Sequence, residues 1–178
     1  APDLKPECFS ALMRLDQNRA IARVAEKLQA PVGGIEQVFV WGNHSNTMYP
    51  DIRFMRYKGH RLADQFDDSW QEEFIKNVAT RGGQIIKARG ASSAASAANA
   101  ALDHMRDWIL GSQGKRCTMA VPSDGSYGIP KGLVFGFPCL CPGEARYQII
   151  SNMPMTQEVR HRLEITRDEL INEAQAVA

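Results

Sequence analysis

Apolar residues recur along the chain with two spacings. Ile21, Val24, Ala25 and Leu28 fall at i, i+3, i+4 and i+7, one stripe on a 3.6-residue period. They predict an amphipathic helix from near Ser10 to about Leu28, ended by Pro31, Gly33 and Gly34. Val38-Phe39-Val40-Trp41 is a continuous apolar run, the pattern of a short buried strand, and Gly42-Asn43 breaks it. Residues 52–62 fit two short strands about Lys58-Gly59. Ser69-Trp70-Gln71-Glu72 has the form of a capping box, with the Ser oxygen accepting a free N–H and Glu reaching back to the cap's own N–H. The helix it starts puts Trp70, Phe74 and Val78 on one face. Gly82-Gly83 predicts an interruption there, a bend or a close backbone approach, since each Gly costs about 1 kcal/mol relative to Ala inside a helix. The pattern resumes at Ile85-Ile86.

A further helix is expected from Ser92 to Leu110, with a first half of almost only Ser and Ala. Such small side chains admit a neighbouring helix or a ligand. Cys117–Val121 and Leu133–Cys139 have the pattern of strands, separated by the turn-rich Asp124–Gly128. A charged helix from Thr156 to the end carries Val159, Leu163 and Leu170 as its buried row. Long helices mixed with short hairpin strands predict an α+β fold, with residues 1–178 as a single domain.

Composition narrows the class. A chain of 178 residues, 44% hydrophobic and 23% charged, is globular and excludes disordered, collagen-like and coiled-coil readings. Its net charge of +1 gives no whole-chain field for nucleic acid or anionic lipid, so neither partner is expected. No apolar run approaches the roughly 20 residues of a membrane span. Ala1–Pro6 is polar and has no signal-peptide character, which points to a cytoplasmic location. Cys8, Cys117, Cys139 and Cys141 are expected as reduced thiols, and Cys139 and Cys141 share one side of a strand. No second Cys/His pair stands nearby with zinc-like spacing, so no metal site is expected.

Two short stretches carry groups suited to chemistry. Asp16 and Arg19 are i and i+3 on one helix face; the bland reading is a solvated ion pair worth about 0.2–0.5 kcal/mol. His44 follows the apolar strand in Trp41-Gly42-Asn43-His44-Ser45, where side chains project from a scaffold. Its bland reading is a satisfied structural histidine. Brought together, the three do more. A carboxylate that accepts from one ring nitrogen fixes the tautomer and favours imidazolium. At ~4 Å and an effective dielectric of 20 the attraction is on the order of 4 kcal/mol before desolvation. An adjacent Arg offers a planar fork to a substrate carboxylate. Carboxylate, His and Arg thus suit proton transfer on a small carboxylic acid. His60, His104 and His161 are expected to be solvent-exposed, and the charges of the last helix to be its wet face.

Arg14–Ala20, Trp41–Ser45, Arg81-Gly82-Gly83 through Arg89, Ser92-Ser93-Ala94 and Ser123–Gly128 resemble, in the same order, the C-terminal catalytic half of cytosolic-type malate dehydrogenases, within the lactate/malate dehydrogenase superfamily. The resemblance implies that domain's fold, the reversible oxidation of malate to oxaloacetate with NAD, and a cytoplasmic homodimer. It implies that His44 accepts the proton in malate oxidation and donates it in oxaloacetate reduction, with Asp16 stabilising the imidazolium. Arg19 binds the substrate carboxylate. Gly82 and one of Ser92 and Ser93 line the pocket, Ser93 toward substrate and Ser92 toward the nicotinamide. These residues contain no GxGxxG between a strand and a helix. The expectation is therefore one half of an enzyme, its Rossmann domain lying outside residues 1–178, and no oxaloacetate reduction by these residues alone. The alternative is an inactive folded module that acts through association. Gly82-Gly83-Gln84 also occurs in peptide-chain release factors, but a nearly neutral chain does not suit a ribosomal partner.

Overall fold

The first helix, α1 (Arg14–Leu28), is the element on which the rest is arranged. The computed structural model describes residues 3–176. After α1 come β1 (Ile35–Glu36), β2 (Phe39–Trp41), β3 (Tyr49–Asp51), β4 (Arg56–Tyr57) and β5 (His60–Arg61). Then follow α2 (Asp68–Arg89), α3 (Ala95–Leu110), β6 (Arg116–Pro122), β7 (Val134–Gly143), β8 (Arg146–Ile149) and α4 (Gln157–Ala176). The strands form three small antiparallel sheets, β1-β4-β5, β2-β3 and β6-β7-β8. The arrangement is the expected α+β class.

Segment β2 lies between two apolar clusters and is buried along its length. Side chains alternate across a strand. Phe39 and Trp41 join Met119, Phe135 and Phe137 against the β6-β7-β8 sheet. Val38 and Val40 join Val24, Met55, Phe74 and Val78 against α1 and α2. Gln17 ties α1 into this layer: its Nε2 donates to the Val38 carbonyl at 2.9 Å, and its Oε1 accepts from the Thr118 N–H at 3.0 Å. A buried amide with both ends satisfied fixes the rotation of α1. Asp16, one residue earlier, inherits that orientation.

Several boundaries differ from the sequence reading. Helix α1 starts at Arg14 rather than near Ser10, because the Ala11 N–H pairs with the Ala120 carbonyl at 2.9 Å and Ser10 Oγ donates to the same oxygen. The cap of α2 is Asp67, whose carboxylate accepts the Trp70 N–H at 2.9 Å, so Ser69 lies inside the helix and forms no capping box. Gly82 and Gly83 do not interrupt α2, since Gly retains the N–H and C=O that a helix needs. Nor does either mark a close approach: a Cβ on Gly82 would make ordinary contact, 3.6 Å from Arg19 Nη1, and one on Gly83 would meet open space. Helix α3 begins at Ala95, leaving Ser92 and Ser93 in the preceding loop. His104 is buried at 5% exposure, not solvent-exposed. It stands at i+4 from Ala100 and i−4 from Trp108 on the inner face of α3, which turns Leu102, Met105 and Ile109 outward instead. His60 and His161 are exposed. Cys117, Cys139 and Cys141 are buried free thiols, and Cys8 is an exposed one.

Gly42 closes β2 with φ +94°, and its N–H and C=O pair with Gly136 of β7 at 3.2 and 2.8 Å. A Cβ there would meet Thr166 of α4 at 2.4 Å. Gly42→Ala combines a left-handed backbone with overpacking against a buried side chain, and is expected to cost about 3 kcal/mol or more. Urea denaturation measures it; a midpoint equal to that of the parent protein contradicts this packing.

Candidate active site

Asp16 sits in the first turn of α1 and is fully buried, so both carboxylate oxygens need partners. Oδ2 lies 2.6 Å from His44 Nδ1, and Oδ1 accepts from Arg19 Nη1 at 3.3 Å. The two stretches that sequence spacing alone left separate therefore share one carboxylate. Arg19 Nη2 also donates to Ser93 Oγ at 3.4 Å. With Gly82 beside its Nη1, the Arg19 side chain is surrounded by Asp16, Ser93 and the α2 backbone. Ser92 is not part of this group: its side chain is exposed, and its carbonyl accepts from Arg89 at 3.4 Å.

His44 opens the turn over residues 44–47 that reverses the chain between β2 and β3. The flanking hairpin is held by Asp51, buried at the end of β3, which accepts Trp41 Nε1–H at 3.1 Å and Arg53 Nη2 at 2.8 Å. The His44 side chain remains 58% exposed, which leaves Nε2 as the nitrogen for an external reactant. The hydrogen bond to Asp16 raises the His44 pKa above its ordinary 6.5; partial burial pulls it down, the Asp16 charge pushes it up, and Arg19 opposes. Nδ1–H donates to the carboxylate, which fixes the neutral tautomer with its lone pair on Nε2.

The far side of the same loop rests on α4. The Asn43 N–H donates to Thr166 Oγ1 at 2.8 Å, Ser45 Oγ donates to Glu169 at 2.5 Å, and Thr47 Oγ1 donates to the same carboxylate oxygen. Thr166 and Glu169 went unrecognised in the sequence, where the charges of this helix read as its wet face. The available signals were the Thr166-x-x-Glu169 spacing, which puts both on one helix face, and the hydrogen-bonding side chains of Asn43, Ser45 and Thr47 around and after His44. A cleft of about 900 Å³ opens between α1, α2 and α3, with Arg19, Asn18, Arg81 and Gln84 in its wall.

Residues 13–178 match the family model described as the lactate/malate dehydrogenase, alpha/beta C-terminal domain. The chain belongs to this dehydrogenase family. Its backbone superposes on malate dehydrogenase from Naegleria fowleri with TM-score 0.92 at 45% identity, over 98% of this chain and 54% of that one. It superposes on Trichomonas vaginalis lactate dehydrogenase, solved with NADH and oxamate, with TM-score 0.93 at 35% identity, over 99% of this chain and 56% of that one. Malate dehydrogenase from Salinibacter ruber, at 22% identity and TM-score 0.86, shares the fold. The chain thus spans about half the length of these solved dehydrogenases. Among the described residues every strand pairing is antiparallel. They hold no βαβ unit to cradle a pyrophosphate. No helix among them is long and apolar enough to cross a membrane.

Proposed function

We propose that residues 1–178 form the substrate and proton-transfer half of an enzyme that interconverts malate and oxaloacetate with NAD, that they do not do so without its nucleotide-binding half, and that Asp16, His44 and Arg19 are the proton-transfer and substrate-holding groups. The observation that carries this reading is the pairing of His44 Nδ1 with the buried Asp16 at 2.6 Å, on a carboxylate that also holds Arg19. NAD, when bound, supplies the hydride acceptor or donor for the substrate's C2. In the oxidative direction His44 Nε2 takes the hydroxyl proton; in the reductive direction it returns that proton to the carbonyl oxygen. Asp16 stabilises the imidazolium that exists between those events. Arg19 offers its guanidinium edge to a substrate carboxylate, and Ser93, which accepts from Arg19, orients that fork. Gly82 lies beside that guanidinium as part of the pocket wall, and Ser92 at the loop's outer side is assigned to the nicotinamide. The similarity of Trp41–Ser45 to the cytosolic branch supports a cytoplasmic homodimer.

Arg19→Lys tests the substrate assignment. Lys cannot present the planar two-pronged edge. Loss of a charged hydrogen bond worth about 1.5–3 kcal/mol corresponds to roughly a 10–100-fold fall in kcat/KM for oxaloacetate, carried mostly by KM. Following NADH oxidation at 340 nm over a range of oxaloacetate concentrations measures it, and an unchanged KM removes Arg19 from the substrate site. The 35% identity with a lactate dehydrogenase favours one rival substrate. Faster turnover of pyruvate than of oxaloacetate in the same assay would replace malate by lactate.

A further inference from the structure

The loop that carries His44 is held from two opposite sides. One side is the imidazole on Asp16. The other is α4, which meets residues 43, 45 and 47 in turn. Glu169 Oε2 accepts from Ser45 Oγ at 2.5 Å, from Thr47 Oγ1 and from Asn43 Nδ2 at 3.3 Å. Asn43 Nδ2 also donates to Glu173 at 3.0 Å. Within the loop, the Thr47 N–H donates to Ser45 Oγ at 3.1 Å. Residues 43, 45 and 47 thus meet α4 while His44 meets α1, and the segment is a turn closed by the Met48 N–H on the Ser45 carbonyl at 3.3 Å. Thr166, fully buried, fills the space left by the missing Cβ of Gly42 and accepts the Asn43 N–H at 2.8 Å.

These contacts exceed what the loop needs for burial, since it is largely at the surface. Their common feature is one carboxylate oxygen that gathers donors from both neighbours of His44. Burial alone pushes the Glu169 carboxyl up, yet the hydrogen bonds from Ser45, Thr47 and Asn43 outweigh it and hold the group below the usual range, so it is charged at neutral pH. Charged acceptors make hydrogen bonds roughly twice as strong as neutral ones. We propose that Glu169 is a positioning residue for His44: accepting from Asn43 and Ser45 on either side of it, and from Thr47 beyond, it keeps the ring on Asp16. The proposal rests on the reading that His44 moves the substrate's proton. It adds a group, on the last helix of the chain, that touches neither substrate nor cofactor.

The experiment compares Glu169→Leu with Glu169→Gln in the intact protein. Gln retains an oxygen where Oε2 stands; Leu offers no acceptor. A misplacement of about 1 Å can cost on the order of 10²-fold. Glu169→Leu is therefore expected to lower kcat by about 10–100-fold with little change in KM. It also moves the His44 titration, followed by NMR, down toward 6.5. Glu169→Gln restores both most of the way. Native kcat together with a native His44 titration in Glu169→Leu overturns the proposal, and so does equal damage in Leu and Gln. If Glu169→Leu does not fold, the double variant Ser45→Ala, Thr47→Val removes the donors instead and is read in the same way. The titration does not depend on turnover. If His44 proves dispensable for activity, the proton-transfer reading fails while the titration shift still decides whether Glu169 holds the ring.

Discussion

His44→Asn is expected to lower kcat for oxaloacetate reduction by about 10²–10⁴-fold, the contribution of a positioned general acid or base. The amide can still donate to Asp16 and occupies much of the imidazole's space, so the loop and the fold remain. What it cannot do is release and regain a proton near neutral pH. His44 meets both demands on such a group. Nδ1 is held by Asp16 at 2.6 Å, and the side chain is 58% exposed, open to a reactant at Nε2. KM for oxaloacetate should change little, because the carboxylate is assigned to Arg19. Steady-state kinetics with circular dichroism as a fold control measures the effect. A folded variant that keeps more than about a tenth of native kcat lies outside the range of general-acid catalysis and removes His44 from the proton path.

Asp16→Asn should be nearly as damaging, and its pH dependence tells why. The oxygen of the new amide can serve only one of the two partners that the carboxylate now serves, and its NH2 facing Nδ1 favours the tautomer with the proton on Nε2. In an unrelated catalytic triad the same substitution costs on the order of 10⁴-fold through that tautomer; a loss of about 10³-fold is expected here. The sign of the pH shift follows from the causes. Hydrogen bond and charge from Asp16 raise the His44 pKa, while burial and Arg19 lower it. Oxaloacetate reduction needs imidazolium, so its rate falls as pH rises through a pKa above 6.5 in the native protein. With the carboxylate gone, only the lowering influences persist, and that limb moves to lower pH. The same couple contributes to stability. Because the folded pKa is raised, its contribution is fully present below 6.5 and is lost as pH rises through the folded value. A kcat/KM profile for oxaloacetate that keeps its alkaline limb in place in Asp16→Asn contradicts the assigned pairing.

Much of this architecture was legible before any coordinates. The 3.6-residue stripe of α1 and the apolar run at Val38–Trp41 are tertiary-independent signals, and both elements are present. The errors fall where a local rule met a distant partner. Ser10–Met13 has nothing against helix locally, but Ala120 claims the Ala11 N–H. Ser69 satisfies a capping rule that Asp67 satisfies two residues sooner. His104 is flanked by Asp103 and Met105 in sequence, while the exposed Leu102, Met105 and Ile109 show that α3 is rotated from the orientation its apolar content suggests. At the site, Asp16 and Arg19 could be paired by helix spacing, but no spacing rule links residue 16 to residue 44. The family resemblance supplied that link, and Gln17, clasped between Val38 and Thr118, supplies the physical reason for it. Glu169 was out of reach for the same cause: its partners Ser45 and Thr47 lie more than 120 positions away in the chain.

The central claim is that a buried Asp16 keeps His44 in one tautomer and shifts it toward imidazolium. NMR titration of the His44 ring in the native protein and in Asp16→Asn measures this directly, with His44→Asn identifying the resonance. The account requires a midpoint above 6.5, a neutral form protonated on Nδ1, and a downward shift of the midpoint in Asp16→Asn. A His44 midpoint at or below 6.5 that does not move when Asp16 becomes Asn contradicts it.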